Sequence, residues 1–305
     1  IALAPPRVTA AHPDVPSGPT RALAAAAAGA ASGFLLGTAV ASWAAPIGAL
    51  GAGVGAALAV HYRPMAAVRR SVTETEAGLA DATAVVGRRV GAGESVESAI
   101  GSAAAATTGR TSELFESASG IQRRLRVDVY RAFLGEHGAL RHLPSRRARA
   151  TASLLAVAAE EGSPAGDTLT RLADHLTELR RVESEARREL AAITGTLSHT
   201  AALFGPLVGG ATVAMATQMA ASGATSAESA SLAGSAAPGA ATLSPPTLGT
   251  AVGLYVLALA AILTTVATGL DRGLDRTLVG YRVGLALLAA TATYLVAFLG
   301  ASMLF

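Results

Sequence analysis

The stretch RELAAITGTLSHTAALFGPLVGGATVAMATQMAAS, Arg188–Ser222, joins a charged helical pattern to an apolar one. Upstream of it, from Pro164, apolar residues recur three and four apart and opposite charges lie four apart on the other faces, as in an amphipathic helix. Downstream, the segment 198–222 supplies the roughly 20 apolar residues that cross a bilayer. Only Gly195 interrupts the junction. The sequence therefore predicts either one helix that runs from a polar domain into the membrane or a long bundle helix that ends before it.

The composition indicates a membrane protein that lacks lysine and cysteine chemistry. Of the 305 residues 51% are hydrophobic, 4% aromatic and 15% charged, which is too apolar for a soluble domain of this length. All 24 basic residues are arginine, and cysteine is absent. The chain therefore has no Walker A lysine, Schiff-base amine, thiolate nucleophile or cysteine zinc ligand. We expect a protein that is not an enzyme, that uses no cofactor or metal, and that depends on a partner for any nucleotide hydrolysis.

Four apolar regions account for five predicted spans. Residues 22–62 are about twice as long as one span and are interrupted by SWAAP, Ser42–Pro46, which predicts a transmembrane hairpin. Whether its second arm, 44–62, crosses completely is open. The other predicted segments are a flexible tail at 1–21, a polar domain at 63–197, spans at 198–222, 247–268 and 280–303, an extracellular linker at 223–246 and a cytoplasmic turn at 269–279.

Small residues recur four apart within these spans. The sets are Gly29, Gly33 and Gly37; Gly51 and Gly55; Gly205 and Gly209; and Gly280 and Gly284. Because apolar burial gives little drive for helices to associate inside a bilayer, such faces let backbones approach and gain van der Waals contact. Either the spans pack closely through these faces, or the spacings arise by chance in a chain rich in alanine and glycine.

Arginine near the ends of the spans predicts their orientation. The flanking arginines are Arg63, Arg69, Arg70, Arg180, Arg181, Arg187, Arg188, Arg272, Arg276 and Arg282. The linker 223–246, in contrast, carries Glu228 as its only charge. We therefore expect a multi-pass protein of the plasma membrane whose N-terminus, polar domain and turn 269–279 face the cytoplasm and whose C-terminus lies outside.

The polar domain 63–197 has a helical pattern throughout, which predicts an antiparallel bundle. GLADATAVVGRRVGAGESVESAI, Gly78–Ile100, predicts two helices around a stop at Gly91–Gly93. Glu94 and Glu97 are expected in the first turn of the second helix, where carboxylates favour the positive end of the helix dipole.

Four further helices are expected in this domain. Their approximate positions are Ser112–Arg126, Asp128–Leu140, one between Pro144 and Gly162, and the long helix Pro164–Gly195. The expected four-apart ion pairs of the long helix are Asp167 with Arg171, Arg181 with Glu185, and Glu183 with Arg187.

These residues resemble the F domain of type II secretion and type IV pilus systems, whose members are membrane platform proteins for filament assembly. Gly78–Ile100 is similar to the leading helical hairpin of that family, and LLAVAAEEGSPAGDTLTRLADHLTELRRVE, Leu154–Glu183, is similar to its trailing hairpin. The order of domain, span, linker, span, charged turn and span resembles the archaeal branch, which builds type IV pili and archaella. The strings HTAALFGPLVGG and TGLDRGLDRTLVGYRVG are similar to C-terminal regions of that branch.

The resemblance implies a non-enzymatic platform that anchors a separate cytoplasmic assembly ATPase and converts its motion into movement of pilin subunits. Archaeal members usually carry two F domains and this chain has one, so it corresponds to a C-terminal half, either split or truncated. The implied partners are the ATPase, pilin-like subunits, the lipid bilayer, and a second copy or a second F-domain half. The resemblance leaves open whether the filament is an adhesive pilus, an archaellum or a secretion pseudopilus.

The charged turn TGLDRGLDRTLVGYRVG, Thr268–Gly284, is the first candidate contact site. Asp271 with Asp275, and Arg272 with Arg276, are four apart, so that on one helical turn each sign would form its own stripe. With Arg282, these residues are candidates for docking the ATPase or the domain above. The alternative is a solvated anchor that only fixes the topology.

Two arginine clusters are the second candidate. RRLR and RHLPSRRAR supply the candidate cytoplasmic interface residues Arg123, Arg124, Arg126, Arg146, Arg147 and Arg149. Nucleic acid is not the expected partner, because the domain balances 19 arginines with 17 acids and the clusters lack interleaved aromatic residues. Anionic lipid, an acidic protein surface and plain solvation remain open.

Other interpretations lack necessary residues. Glu160 and Glu161 suggest a CAAX-type intramembrane protease, but the arginine of that pattern is replaced by Ala165. His137 and His142 are five apart, off a common helical face, so we expect loop histidines instead of metal ligands. The alternative function is a membrane transporter or channel component. The predicted spans carry no Asp, Glu or Arg centrally, which favours a scaffold but leaves a passive pore open.

Overall fold

The computed structural model describes residues 19–161, 164–221, 244–272 and 275–304. Throughout these ranges the regular structure is helical, without a strand. Five helices are long and apolar enough to cross a membrane. The expectation of an all-α, multi-pass membrane protein is therefore confirmed at this level. The described chain forms two compact units, a bundle unit of residues 64–189 and an apolar unit of residues 19–63 and 190–304.

The apolar unit begins with the expected helical hairpin. Helix α1, Pro19–Val40, leads through a 3₁₀ turn, Ser42–Ala44, into α2, Ala45–Gly91. Pro46 occupies the first turn of α2, where its missing N–H removes no helical hydrogen bond. The SWAAP interruption is thus a turn between two arms.

Glycines bring the two arms of the hairpin into backbone contact. A Cβ on Gly33 would overlap the carbonyl oxygen of Gly48, a Cβ on Gly29 would come within 2.5 Å of the Ala52 oxygen, and one on Gly37 within 2.6 Å of the Ala45 Cα. The first of the four-apart sets therefore forms a helix contact instead of a chance spacing.

Helix α2 does not end where the hairpin was expected to end. It continues past residue 62 as one helix of 47 residues, with Pro64 inside it, and the boundary between the two units falls within the helix. The stop near Gly91–Gly93 was predicted correctly, since α2 ends at Gly91 and Gly93 has a φ of 91°.

Helices α3, Val96–Ala106, α4, Gly109–Leu125, and α5, Val129–Leu134, follow in the bundle unit. The expectation that Glu94 lies in the first turn of α3 is wrong, because Ser95 caps that helix and Glu94 precedes it. Helix α5 is shorter than expected, since Asp128 caps its start and Gly135 already lies beyond its end.

Two more helices complete the bundle unit. Helix α6 spans Arg146–Glu161 and helix α7 spans Ala165–His199, while the expected stop at Gly162 lies outside the described residues. The core is apolar and closely packed, with Phe115 and Phe133 edge to face at 5.5 Å. The fully buried residues around this pair include Val86, Val90, Ile100, Leu140, Leu155 and Leu169.

The junction between polar and apolar segments is an unbroken helix. Helix α7 passes through a π-helical turn, Thr200–Phe204, into α8, Gly205–Ala221. Within the turn the Gly205 N–H bonds to the Thr200 carbonyl, five residues back. A π turn of this kind lets a helix accommodate the missing N–H and the ring of Pro206. Of the two alternatives left by the sequence, the continuous helix is the one observed.

The last two spans are α9, Pro245–Arg272, and α10, Arg276–Leu304. Both are longer than expected, so only residues 273–275 separate them and the turn predicted at 269–279 consists mostly of helix ends. Residues 1–18 of the predicted tail 1–21 and residues 223–243 of the predicted linker 223–246 lie outside the described residues.

Aromatic contacts fix the hairpin turn within the apolar unit. The Trp43 ring lies edge on to Phe298 at 5.2 Å and to Tyr294 at 6.5 Å. The Tyr294 hydroxyl donates to the Gly249 carbonyl at 2.8 Å. At the other end, Tyr62 packs on Gly280. The start of α2, the start of α9 and the end of α10 therefore lie at one end of the apolar unit, and Tyr62 and the start of α10 lie at the other.

Gly33 tests the close packing of the hairpin. We expect Gly33→Ala to lower the midpoint of thermal unfolding in detergent, because its Cβ overlaps a backbone oxygen, and overpacking costs about 1–3 kcal/mol. The emission of Trp43, the single tryptophan, reports the transition. Gly300→Ala is the control, since a Cβ there meets nothing within 4 Å. Equal midpoints for the two variants would contradict the packing.

Candidate functional site

The charged turn is built from two helix ends. Asp275 caps α10: its Oδ1 accepts hydrogen bonds from the Thr277 N–H at 3.1 Å and the Thr277 hydroxyl at 2.8 Å. The Asp275 carbonyl accepts the Val279 N–H at 2.9 Å and so begins the helix. The positive end of the helix dipole also stabilises a carboxylate at this position.

An ion pair joins the two helices across this turn. The Arg282 guanidinium donates to Asp271 Oδ2 at 3.2 Å, and both side chains are about one-third exposed or less, at 36% and 26%. Arg276 is exposed, and Arg272 ends α9 with a side chain outside the described set. The turn is thus held by charges contributed from both helices.

The predicted charge stripes are wrong. Asp271 belongs to α9 and Asp275 precedes α10, so the two residues do not share one helical turn, and the same break separates Arg272 from Arg276. The four-residue spacing suggested that the charges of each sign share one helical turn. The capping geometry of Asp275 and the pairing of Asp271 with a residue eleven positions later were not apparent from the spacing.

The first arginine cluster lies at the C-terminal end of α4. Arg123, Arg124 and Arg126 are all exposed, and Arg126 ends the helix with a φ of 51°. The left-handed conformation costs a residue with a Cβ about 1–2 kcal/mol, and glycine is the usual choice at this position. Sequence reasoning missed two neighbours, Leu125 and Tyr130, whose exposed fractions are 57% and 55%.

One arginine of the second cluster contributes to the packing of the bundle unit itself. Arg146 and Arg149 are exposed, but Arg147 forms a two-pronged ion pair with Glu183 on α7. The expected pairing of Glu183 with Arg187 is therefore wrong, and so is that of Arg181 with Glu185, because Arg181 bonds to Glu178.

The two clusters occupy opposite ends of the bundle unit. Ser145, just before the second cluster, donates to Glu76 of α2 at 2.6 Å, and Thr111, in the first turn of α4, donates to the Thr75 carbonyl at 2.8 Å. Helix α4 then runs antiparallel to α3, so its arginine end lies towards the Gly91 end of α2. The structure thus does not bring the two clusters together into one surface.

The Arg147–Glu183 pair also shifts the ionisation of both groups. The hydrogen bonds from Arg147 hold the pKa of the Glu183 carboxyl below its ordinary value, against the opposing effect of burial. The same bonds raise the pKa of Arg147. Both groups are therefore charged across the physiological range.

No group of three or more metal-ligating side chains occurs among the described residues. His137 lies beside Gly135 and Glu136 in a groove between α4 and α5.

Comparisons with known proteins returned no match. No protein-family model, no curated protein and no solved structure is similar to this chain at a significant level.

Acid titration tests the contribution of the Arg147–Glu183 pair. Because the pKa of Glu183 is lower in the folded protein, its stabilisation is present above the unfolded pKa of about 4.3 and is lost as the pH falls through the folded value. We expect Glu183→Gln to lower Tm at pH 7, and the difference from the wild type to shrink below about pH 4. Glu185→Gln, an exposed carboxyl on the same helix, controls for the lost charge. A difference that is constant with pH would contradict the pairing.

Proposed function

We propose that this protein is an integral membrane platform subunit of a filament assembly machine related to type IV pili and type II secretion. In this role it anchors a separate cytoplasmic ATPase and transmits the motion of that enzyme to pilin-like subunits. The proposal starts from the resemblance of the two helical hairpins, Gly78–Ile100 and Leu154–Glu183, to the F domain. The all-helical bundle unit between apolar helices is compatible with it.

The single observation that supports a mechanical role most directly is the continuity of two helices. Helix α2 runs unbroken from the hairpin turn to Gly91, and α7 continues through the π turn into α8 as far as Ala221. An α-helix rises about 1.5 Å per residue, so the 35 residues of α7 alone extend for about 52 Å. A force applied to the bundle part of such a helix would reach its apolar part without crossing a loop.

The positive-inside rule favours a cytoplasmic bundle unit. Within the apolar unit, Tyr62 and Gly280 lie at the same end, so Arg63, Arg276 and the Asp271–Arg282 pair are also gathered there. The hairpin turn at Trp43 lies at the opposite end, and the residues described above as contacting it are all uncharged. This distribution supports placing the arginine-rich end in the cytoplasm, where the ATPase would act.

Fewer residues of the charged turn are candidates for contacting a partner than the sequence suggested. Asp271 and Arg282 join α9 to α10, and Asp275 caps α10, so these three residues have structural tasks. Arg276, which is exposed, and Arg272 are the members of the set proposed to contact a partner.

A charge reversal separates docking from anchoring at this turn. We expect Arg272→Glu combined with Arg276→Glu to abolish filament assembly while the protein still accumulates in the membrane, because docking requires the positive charge. Arg272→Gln with Arg276→Gln, which removes the charge without reversing it, should have a smaller effect. Filament counts by electron microscopy and membrane immunoblots provide the readouts, and normal assembly by the reversed variant would reduce the turn to an anchor.

Helix continuity can be tested by a proline. We expect Ala192→Pro to block assembly without loss of membrane insertion, since an interior proline removes a backbone hydrogen bond and costs about 3 kcal/mol in helix stability. Ala192→Ser is the matched control at the same exposed position.

The decisive biochemical readout is ATP turnover by the candidate ATPase with and without the detergent-purified protein. Binding that changes turnover in the wild type, and that persists in Ala192→Pro while assembly is lost, would support a lever. Unaffected assembly in Ala192→Pro would contradict the lever. Absence of binding by folded protein would instead call for flux measurements in liposomes, as a transporter or channel component requires.

A further inference from the structure

The continuous helix formed by α7, the π turn and α8 has a weak segment near its centre. Residues 194–200, TGTLSHT, are all threonine, glycine, serine or histidine except for Leu197. These residue types stabilise a helix interior less than alanine, leucine, glutamate or arginine do. The residues just before them, RRELAAI at 187–193, are mostly strong helix formers. The intrinsic helix propensity therefore falls at Thr194, although the helix continues to Ala221.

Side chains of this weak segment bond to the backbone of the preceding turn. A carbonyl that accepts a side-chain bond in addition to its helical N–H tilts away from the helix axis, and such bonding destabilises and bends helices. The contacts run from the hydroxyls of Thr194, Thr196 and Ser198 to the carbonyl oxygens of Leu190, Ala192 and Thr194, at 3.0, 2.9 and 2.8 Å, and from His199 Nδ1 to the Gly195 oxygen at 2.7 Å.

Gly195 has no packing role that would explain its presence in a helix. At Gly33 or Gly166 a glycine lets two backbones touch, but a Cβ on Gly195 would meet no described atom within 4 Å. Glycine in a helix interior lowers helix stability relative to alanine, because it has more conformational freedom to lose. Gly195 therefore loosens the helix without gaining a contact in return.

Neighbouring elements do not cover this part of the helix. From Asp174 to Thr200, all of them described, no residue is buried, and Ala201 in the π turn is the first buried residue after them. Helices are stabilised mainly by packing, so an uncovered stretch depends on its own propensity and ion pairs. Upstream, Glu178 and Arg181 form such a pair, whereas residues 194–200 carry no Asp, Glu or Arg. Segments with few contacts are the ones that open locally.

The π turn extends the weak segment towards α8. Residues Thr200–Phe204 replace the regular hydrogen-bond ladder of the helix, and Pro206 follows with no N–H to donate. Bends in long helices occur at such turns and at prolines. Residues 194–204 are therefore one contiguous stretch of weak helix, which we name the joint segment.

We propose that the joint segment is the point at which this long helix bends while it stays hydrogen-bonded. The joint is a property of the helix itself. Its use rests on the proposed function, since in a platform protein the bend would convert a force on α7 into a change in the direction of α8. The joint therefore adds a position and a kind of movement to the proposed lever.

Distances between paired spin labels test the bend on the full chain in lipid nanodiscs. The chain has no cysteine, so two introduced cysteines carry the only labels. Ser184→Cys with Thr212→Cys places exposed labels on both sides of the joint segment, about 42 Å apart along a straight helix. Thr168→Cys with Ala191→Cys, about 35 Å apart and wholly within α7, is the control pair. We expect a broad distribution with a shortened mean for the first pair and a narrow one for the control, and equal widths would overturn the inference.

A stiffened joint decides whether the weak residues cause the bend. We expect Gly195→Ala to narrow the Ser184–Thr212 distribution and to slow amide hydrogen exchange within the joint segment about fivefold, which corresponds to the helix propensity difference between glycine and alanine. The new Cβ has room, so folding is retained. Gly300→Ala, which also meets no described atom, should change neither reading. An unchanged distribution and exchange rate in Gly195→Ala would contradict the assignment.

Failure of the joint is distinguishable from failure of the platform role. We expect Gly195→Ala to reduce filament number while the protein accumulates in the membrane and still changes ATP turnover by the assembly ATPase. A helix that bends as described in a protein without effect on the ATPase would retain the joint and reject the platform. Normal ATPase coupling with equal label distributions for the two pairs would retain the platform and reject the joint.

Discussion

The backbone contact between Gly33 and Gly48 is the constraint on which the apolar unit depends. Inside a bilayer, apolar surface gives helices no reason to associate, so packing must come from close approach. A side chain at either position would hold α1 and α2 apart. With the arms in contact, the 3₁₀ turn can carry Trp43 to the ends of α9 and α10, where Tyr294 and Gly249 are already joined by a hydrogen bond.

Close approach between helix backbones recurs at glycines of α10 and α8. A Cβ on Gly284 would lie 2.6 Å from the Ala59 nitrogen, and a Cβ on Gly210 of α8 would lie 2.6 Å from the Tyr294 oxygen. The same device operates in the bundle unit, where Gly166 touches Gly91. Helix contact through glycine is therefore common to both units, although in the bundle it adds to apolar burial instead of replacing it.

The sequence predicted helix existence well because the signals are local. The length of the apolar segments predicted the spans, and Gly91–Gly93 predicted the end of α2. The four-apart spacing of glycine indicated the helix faces that lie in contact. It could not predict that α2 continues through Pro64, because proline usually argues for an interruption. The predicted helix ends differ from the observed ones for a similar reason, because capping by Ser95 or Asp275 depends on backbone geometry that composition does not encode.

The candidate sites were harder to predict because charge pairing is a tertiary property. Four-apart spacing pointed to pairs along α7, whereas Glu183 reaches Arg147 on α6. It pointed to stripes at the turn, whereas Asp271 reaches Arg282 on the next helix. In both cases a residue on a second helix satisfied the charge. The arginines at the end of α4 were recognised as exposed charges, but the exposure of their apolar neighbours was not predicted, since the sequence does not show where the amphipathic face of a helix runs past its partner.

The two ends of the bundle unit differ in how their polar and charged side chains are used. Near Pro64 and Glu189, polar side chains are used internally: Glu76 accepts from Ser145, and Glu183 pairs with Arg147. At the other end, α4 terminates at a strained arginine beside two exposed apolar side chains. Pairing charges within the unit fixes their geometry, whereas exposed charge next to apolar surface retains its capacity to bind. The bundle unit therefore uses polar side chains in internal contacts at one end and leaves charged and apolar side chains exposed at the other.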